Sequence, residues 1–349
     1  MIKPKSILIV RTDRIGDVVL SLPMAEVIKN TYPNCKVTFL LRNYTKDLLY
    51  MHPFVDEVIL LEEENGKMLF EQNLNKIKSL IFDTVIVVSP TFKLALLIFL
   101  SRIKNRIGTG YRWYSSFFNK KVYEHRKYGT KHELLHNLNL LKNVGITSEI
   151  SKDEINFNLQ VVESSLQKID DYFAEQNINT SLPIIIVHPG SGGSAVDYPF
   201  EKLKKLIKIL ANELSINIIL TGSENERELC SKLSSNEKVI NAAGKFRLKE
   251  LVALVSRSDL MIANSTGPIH IAAALNKFVV GFYPKIPACS QTRWAPFTNK
   301  KVIFEPTIDC KECTRKQCEE LNCMNSIDER IVFESVKESL QKILNKNIN

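Results

Sequence analysis

Short apolar runs with no polar alternation recur along the chain, and stretches in which apolar residues return every three or four positions separate them. The runs are typical of strands buried on both faces of a sheet, and the stretches between them are typical of amphipathic helices. The predicted strands of the first half are Ile7–Val10, Val37–Leu41, Glu57–Leu61, Thr84–Val88 and Arg106–Ile107. Those of the second half are Ile184–Val187, Ile216–Leu220, Lys238–Ile240, Leu260–Ala263 and Val279–Phe282.

The helical patterns alternate with these strands in both halves. They fall at Met24–Thr31, Leu69–Leu80, Lys93–Ser101, Glu163–Glu175, Phe200–Glu213, Glu226–Leu233, Leu248–Ser256, Ile269–Leu275 and Ile331–Leu344. This alternation predicts an α/β protein with two successive doubly wound, Rossmann-like domains. We place the domains at residues 1–176 and 183–327, with a C-terminal helix in 328–349 that packs back across them. Ligands of such sheets bind at the carboxyl ends of strands, so we expect the site in a cleft between the domains.

The composition is ordinary for a globular protein, with 44% hydrophobic and 24% charged residues among 349. No apolar run reaches the roughly 20 residues that a membrane span needs, and the N-terminus lacks a signal-peptide pattern, so we expect a cytoplasmic protein. The formal net charge of +9 predicts an acidic partner. Nucleic acid, a phosphorylated ligand and an anionic membrane surface each satisfy that prediction.

A polar loop, Arg11–Asp17, directly follows the first predicted strand. Arg11 and Arg14 place two cations at the strand end, which suits a phosphorylated ligand. Asp17 lies where the helical residues begin, so its carboxylate is interpreted either as a helix cap or as a group that faces the cleft.

Three small-residue loops follow strands of the second half. The segment Asn264–Gly267 leads into Pro268 and a helix with His270 in its first turn, which predicts an anion site at a helix start. The loop 188–194 contains three glycines and two serines, typical of an oxyanion cradle. Glu224 follows another strand, where it either accepts from ribose hydroxyls or lies at a helix N-terminus.

Four motifs in this order resemble glycosyltransferase family 9, the lipopolysaccharide heptosyltransferases. They are RIGDVVLSLP at 14–23, HPGS at 188–191, GSE at 222–224 and NSTGPIHIAAAL at 264–275. The resemblance implies a GT-B fold and inverting, metal-independent transfer of a heptose from ADP-heptose. It also implies that the C-terminal domain binds the donor and the N-terminal domain binds a lipid A–core acceptor.

The resemblance implies roles for residues by position. Asp17 matches the general base of the family. The donor-binding positions are Ser191, Glu224, Phe246, Thr266, Gly267 and His270, and Arg11 and Arg14 are assigned to the acceptor. Two positions depart from the family pattern: Val196 stands where a lysine is frequent, and Ser265 stands where an aspartate is usual. The departures favour nucleotide-sugar binding over heptose in particular, so a transferase with another donor or an epimerase stays open.

Four cysteines, Cys310, Cys313, Cys318 and Cys323, have the spacing C-x2-C-x4-C-x4-C. Such a set fits a structural zinc, and it also fits reduced cysteines that pack together. The segment Tyr111–Lys131 interleaves aromatic and basic residues, which indicates a site for single-stranded nucleic acid, a membrane interface or a solvated loop. We expect an anionic glycolipid acceptor, peripheral contact with the inner membrane surface and no nucleic acid. The alternative from another class is a basic, zinc-containing nucleic-acid-binding protein.

Overall fold

The computed structural model describes residues 3–147, 154–234, 236–310 and 313–346. The chain divides into two compact units. The first unit comprises Met1–Arg126 and Glu133–Gln160, and the second comprises Lys127–His132 and Val161–Asn349.

The first unit is built on a parallel sheet whose strands alternate with helices. Its strands are β1 Ser6–Val10, β2 Lys36–Leu41, β3 Glu57–Leu60, β6 Thr84–Val87, β7 Asn105–Thr109 and β8 Lys120–Val122, with a small hairpin of β4 Glu63–Glu64 and β5 Lys67–Met68. Its helices are α1 Ile15–Val19, α2 Pro23–Thr31, α3 Phe70–Ser79, α4 Phe92–Leu100 and α5 Glu133–Asn139. The sheet order is β3-β2-β1-β6-β7-β8.

The second unit repeats this arrangement. Its strands are β9 Ile184–His188, β10 Asn217–Leu220, β11 Val239–Asn241, β12 Leu260–Asn264, β13 Phe278–Phe282 and β14 Lys301–Phe304. Its helices are α6 Glu163–Glu175, α7 Phe200–Glu213, α8 Arg227–Leu233, α9 Leu248–Arg257, α10 Gly267–Ala274, α11 Gln291–Trp294, α12 Arg315–Glu320 and α13 Glu329–Lys346. The order β11-β10-β9-β12-β13-β14 is again the Rossmann order.

The apolar runs form these strands because both faces of each sheet are covered. Every residue of Ile7–Val10 and of Leu260–Ala263 is at most 2% exposed. In each sheet the strand order reverses next to the first strand, between β1 and β6 and between β9 and β12. Loops that follow these strands therefore lie at the switch point, where doubly wound sheets bind ligands. The prediction of two doubly wound domains is confirmed.

The domain boundary differs from the predicted one. Helix α6, expected at the end of the first domain, belongs to the second unit because it packs on α9. Arg257 pairs with Asp170 at 2.6 Å, and Lys168 pairs with Glu250 at 2.7 Å. The boundary falls after Gln160 as a result.

The C-terminal helix packs within the second unit. Helix α13 contacts α7, and Phe333 and Val336 are buried in the core of that unit, while packing across the domains stays a prediction. Arg330 and Glu213 form an ion pair at 2.5 Å between the two helices. Within the described residues, no helix is long and apolar enough to cross a membrane.

Candidate active site

Asp17 lies at the switch point of the first unit, in the first turn of α1. The N-cap position of this helix is Arg14, so Asp17 is the third helical residue rather than the cap. Its side chain is 18% exposed, which leaves it accessible while most of its surface is covered. Burial raises the pKa of Asp17, and the Arg11 guanidinium lowers it in part. A carboxylate with a raised pKa is a better proton acceptor than an ordinary surface aspartate.

Arg11 is the immediate partner of this carboxylate. Its Nη2 lies 2.5 Å from Asp17 Oδ1, and its Nε donates to the Asp17 backbone carbonyl at 3.1 Å. The same guanidinium lies 3.5 Å from Asp13 and 3.4 Å from Glu133. The side chain is 1% exposed and turned toward these carboxylates, and the assignment of Arg11 to the acceptor stays a prediction. A buried cation needs buried partners, and these carboxylates supply them.

Glu133 is a member of this network that the sequence did not indicate. It begins α5, is 2% exposed, and pairs with both Arg11 and Arg126. Arg126 also donates to Asn137 Oδ1 at 3.3 Å, and Asn137 donates to the Leu20 carbonyl at 3.0 Å. Through these hydrogen bonds, α5 is connected to the C-terminal end of α1, the helix that carries Asp17.

Arg14 and Tyr44 are exposed near the same strand ends. Arg14 therefore keeps its predicted role as a cation for an acceptor. Tyr44 follows β2, and its hydroxyl donates to the Asp13 carbonyl at 2.6 Å. Its side chain is 47% exposed, which offers a ring face that the sequence analysis did not single out.

The start of α10 lies at the switch point of the second unit. Thr266 is its N-cap residue, and Gly267 and Pro268 are its first two residues. Thr266 makes no side-chain cap hydrogen bond among the described residues, so its hydroxyl does not occupy the first amides of the helix. Thr266 and Gly267 are half-buried, in agreement with a site where an anion reaches the backbone.

His270, in the first turn of α10, is 4% exposed, and its Nδ1 has no hydrogen-bond partner within the described part of the chain. Burial, with smaller effects from His132 and Lys301, lowers the pKa of His270 to about 3. The imidazole is therefore neutral near pH 7 and offers a single N–H. An orphaned buried nitrogen is rare in native proteins, and a bound ligand would explain it.

The glycine-rich loop after β9 is fastened to its neighbours. Ser191 is 5% exposed, and its hydroxyl donates to the Ala195 carbonyl at 3.3 Å. Ser191 thus stabilises the loop, and its contact with the donor stays a prediction. The Oγ of Ser194 lies 2.8 Å from the Ser265 carbonyl and joins this loop to the one after β12. Asn264 adds a second link by donating to the Pro189 carbonyl.

A cation that sequence analysis missed lies against this loop. Arg315 donates to the Gly193 carbonyl at 3.2 Å and to the Ala195 carbonyl at 2.5 Å. Its side chain is 47% exposed. No spacing signal links it to the loop in the sequence, because α12 lies more than a hundred residues further along the chain.

Glu224 and Phe246 flank one end of the second sheet. Glu226, rather than Glu224, fills the capping role by accepting from the amide and the hydroxyl of Ser223, both at 2.7 Å. Glu224 is 65% exposed and lies next to Gly244, where an added Cβ would come within 2.1 Å of its Oε2. Phe246 is half-buried and packs edge-on against Tyr172 with ring centroids 5.0 Å apart.

The clustered cysteines lie elsewhere in the second unit. Cys313, Cys318 and Cys323 are buried in one apolar cluster, and Cys310 packs against it. All four are free thiols. Among the described residues, no group of three or more His, Cys, Asp or Glu side chains is arranged to hold a metal ion. The structural zinc is thus a prediction that rests on the cysteine spacing alone.

Two successive Rossmann-like sheets, each with polar loops at its switch point, form the GT-B fold of glycosyltransferases. The model of glycosyltransferase family 9 (heptosyltransferase) matches residues 73–324, and the chain belongs to this family. Membership decides against the nucleic-acid-binding alternative.

Individual relatives agree with this assignment. The chain is 27% identical over 307 residues to the lipopolysaccharide core heptosyltransferase OpsX of Haemophilus influenzae, covering 85% of this chain and 83% of that protein. The family 9 glycosyl transferase of Veillonella parvula has a TM-score of 0.82 at 19% identity, with 97% of each chain covered. The ADP-heptose lipopolysaccharide heptosyltransferase II of E. coli has a TM-score of 0.77 at 20% identity, covering 99% of this chain and 100% of that chain.

Proposed function

We propose that the protein transfers a heptose, or a similar sugar, from an ADP-sugar to a lipopolysaccharide core or a related cell-surface glycolipid. The observation that carries the proposal is Asp17, a largely covered carboxylate beside Arg11 at the switch point of the first unit. Family membership and the ADP-heptose named for the E. coli enzyme support the donor class. A cytoplasmic enzyme with peripheral contact to the inner membrane surface is part of the proposal.

In the proposed reaction an acceptor hydroxyl oxygen attacks the anomeric carbon of the donor sugar. The bond from that carbon to the diphosphate oxygen breaks, ADP leaves, and Asp17 takes the hydroxyl proton. Attack opposite to the leaving group inverts the anomeric configuration. Arg11 holds the carboxylate in place and lowers its pKa against the effect of burial, which favours the ionised form of the base.

The donor diphosphate is assigned to the start of α10. Backbone amides there, together with the single N–H of neutral His270, would stabilise the charge that builds up on the leaving group. Exposed Glu224 suits the ribose hydroxyls, and half-buried Phe246 suits the adenine ring. These donors are fixed before the reaction and require no metal ion, so we propose metal-independent transfer with no cofactor.

A second candidate is transfer from, or epimerisation of, another nucleotide sugar. It is favoured by Val196 and Ser265, which replace residues that are usual near the donor in this family. Arg315 offers a cation at the same loop through its bonds to the carbonyls of Gly193 and Ala195. The sugar that this altered loop accepts decides between the two candidates.

The test combines donor selection with product analysis. ADP-, UDP- and GDP-sugars are compared by thermal shift, because a ligand that binds only the native protein raises its melting temperature. We expect a shift with the ADP-sugar, and acceptor-dependent ADP release from ADP-heptose with a heptose-deficient core, unchanged by EDTA. If none of the three nucleotide sugars raises the melting temperature, the proposal is contradicted. If only the UDP- or GDP-sugar raises it, the second candidate is supported.

A further inference from the structure

Helix α4 is apolar on both of its faces. Leu94, Ala95, Leu97 and Ile98 are at most 4% exposed and pack into the core of the first unit. The opposite side carries Phe92, Leu96, Phe99 and Leu100, which share one face because they are four, seven and eight positions apart. Phe92 is 39% exposed, Phe99 42% and Leu100 38%. A helix at a protein surface normally presents polar residues on its outer face.

The segment after β7 extends this apolar surface. Trp113 is 77% exposed and stacks on Phe92 with ring centroids 4.8 Å apart. Phe117 packs on Phe99 at 5.0 Å and on Phe92 at 6.2 Å. We call the surface formed by Phe92, Leu96, Phe99, Leu100 and Trp113 the α4 face. A contiguous exposed group of large apolar side chains indicates an interaction site.

The stretch of chain that forms the α4 face carries charges of a single sign. Residues 84–123 contain no aspartate or glutamate. Their cations are Lys93, Arg102, Lys104, Arg106, Arg112, Lys120 and Lys121. The guanidinium of Arg106 lies 5.5 Å from the ring centre of Phe99, so positive charge borders the apolar surface directly. A second copy of this chain would bring like charges together, whereas an anionic surface complements them.

Rings of the following segment are partly exposed as well. Tyr111 stacks on His125, with ring centroids 3.5 Å apart, and contacts Tyr123 at 5.5 Å, while the two tyrosines stay 44% and 63% exposed. Arg126 pairs with Glu133 of the buried network. The α4 face differs from this segment because its apolar side chains form one contiguous stacked group with Arg106 at its border.

We propose that the α4 face docks on the surface of an anionic lipid bilayer. Trp and Phe rings would enter the headgroup region, while the surrounding Lys and Arg side chains would contact acidic headgroups. This inference deepens the proposed function, since an enzyme that modifies a glycolipid must work at the bilayer that holds it. It places that contact on a defined helix of the first unit.

The experiment is co-sedimentation of the purified full chain with vesicles of phosphatidylglycerol and phosphatidylcholine, and with phosphatidylcholine alone. We expect binding to the anionic vesicles at low salt, at least tenfold less binding to the neutral ones, and release at high salt. Trp113 emission should shift to the blue on binding and be quenched by brominated lipid, and Trp113→Phe should abolish that signal.

Variants locate the contact. Phe99→Ser with Leu100→Ser, and Lys93→Gln with Lys120→Gln and Lys121→Gln, should each lower vesicle binding at least tenfold. The matched controls are Ile331→Ser on α13 and Lys204→Gln with Lys205→Gln and Lys208→Gln on α7, and they should bind like the wild type. Circular dichroism and melting temperature verify that each variant is folded.

Three results would overturn the inference: no binding to anionic vesicles at low salt, equal loss in the α7 controls, or a dimer in light scattering that the Phe99→Ser, Leu100→Ser variant dissociates. Transfer to a soluble, deacylated acceptor separates this test from the proposed function. That activity should persist in all α4-face variants. A variant that loses only vesicle binding therefore tests the docking surface. Failure of the protein to transfer sugar to the soluble acceptor tests the proposed function instead.

Discussion

The two units differ in the charge at their candidate sites. In the first unit, the buried cation Arg11 lies beside the candidate base Asp17. In the second unit, the candidate diphosphate site consists of the start of α10, small side chains and the neutral His270. Arg11 is held by carboxylates that include Asp17 and Glu133. His270 is buried just as deeply, yet its pKa of about 3 keeps it uncharged. Both regions occupy the switch point of the same sheet order, so the fold does not dictate this difference.

The difference corresponds to two chemical tasks. A general base must be ionised in the resting enzyme and must then accept a proton, so its pKa has to be set by fixed charges around it. A diphosphate site must hold a dianion and later release it, and preorganised dipoles do this without a permanent counter-charge. The predictions below test two effects separately. In the first unit, fixed charges set the pKa of Asp17; in the second, uncharged groups donate hydrogen bonds to the diphosphate.

The largest effect is expected from Arg11→Met. Removing the cation leaves buried carboxylates without their partner, which should lower the free energy of unfolding by about 3–5 kcal/mol. Because Arg11 lowers the pKa of Asp17, its loss raises that pKa, and the acidic limb of the kcat/KM profile should move to higher pH. Denaturant unfolding and pH–rate profiles measure the two effects.

Arg11→Lys is the matched control, since it keeps the charge but loses the forked geometry. Its acidic limb should stay close to that of the wild type even where its turnover is lower. Coinciding acidic limbs in all three proteins would show that Arg11 is structural only.

A smaller effect is expected at the donor site. His270→Ala should weaken binding of the ADP-sugar about tenfold, the equivalent of one hydrogen bond to a charged group, with Thr266→Val and Glu224→Gln each weakening it several-fold. Because His270 is neutral throughout, the wild-type donor affinity should not follow a histidine titration between pH 6 and 8. Isothermal titration calorimetry measures both. Glu228→Gln on α8 is the control, and unchanged affinity in all three site variants would refute the placement.

The smallest effect is expected from Arg315→Met. The guanidinium is half-exposed, so solvent screens it, and donor affinity should fall only a few-fold and mainly at low ionic strength. Lys316→Met, at the neighbouring exposed position, should leave the affinity unchanged. An equal effect in both variants would mean that net charge, rather than the bond of Arg315 to the glycine-rich loop, is responsible.

The doubly wound class and most strands could be predicted, because the strand residues are apolar on both faces and lack the three-to-four-residue spacing of helices. Strands β8 and β14 were missed: Lys120–Val122 is mostly exposed and Lys301–Phe304 is only half-buried, so neither has the signal of a central strand. Helix α6 was assigned to the wrong unit because amphipathicity shows that a helix packs but not on which sheet.

Candidate site residues could be predicted where they lie together in one short stretch of sequence. They could not be predicted where their role depends on burial. Asp17 and the start of α10 stand out by local sequence, whereas Arg11 was interpreted as a cation for a phosphorylated ligand and Glu133 carries no local signal. Their pairing joins positions 122 residues apart, which no local pattern encodes. Arg315 was missed for the same reason.

The central claim is that Asp17 of the first unit is the base while the second unit binds the donor. The direct test is Asp17→Asn, measured for both turnover and donor affinity, with Asp47→Asn as the control. We predict a fall in turnover on the order of 10² or more, with the fold retained and ADP-sugar affinity unchanged, because asparagine keeps the shape but is not a base. Arg11 loses one ion pair and keeps those with Asp13 and Glu133. Near-normal turnover of Asp17→Asn on the authentic donor and acceptor would contradict the account.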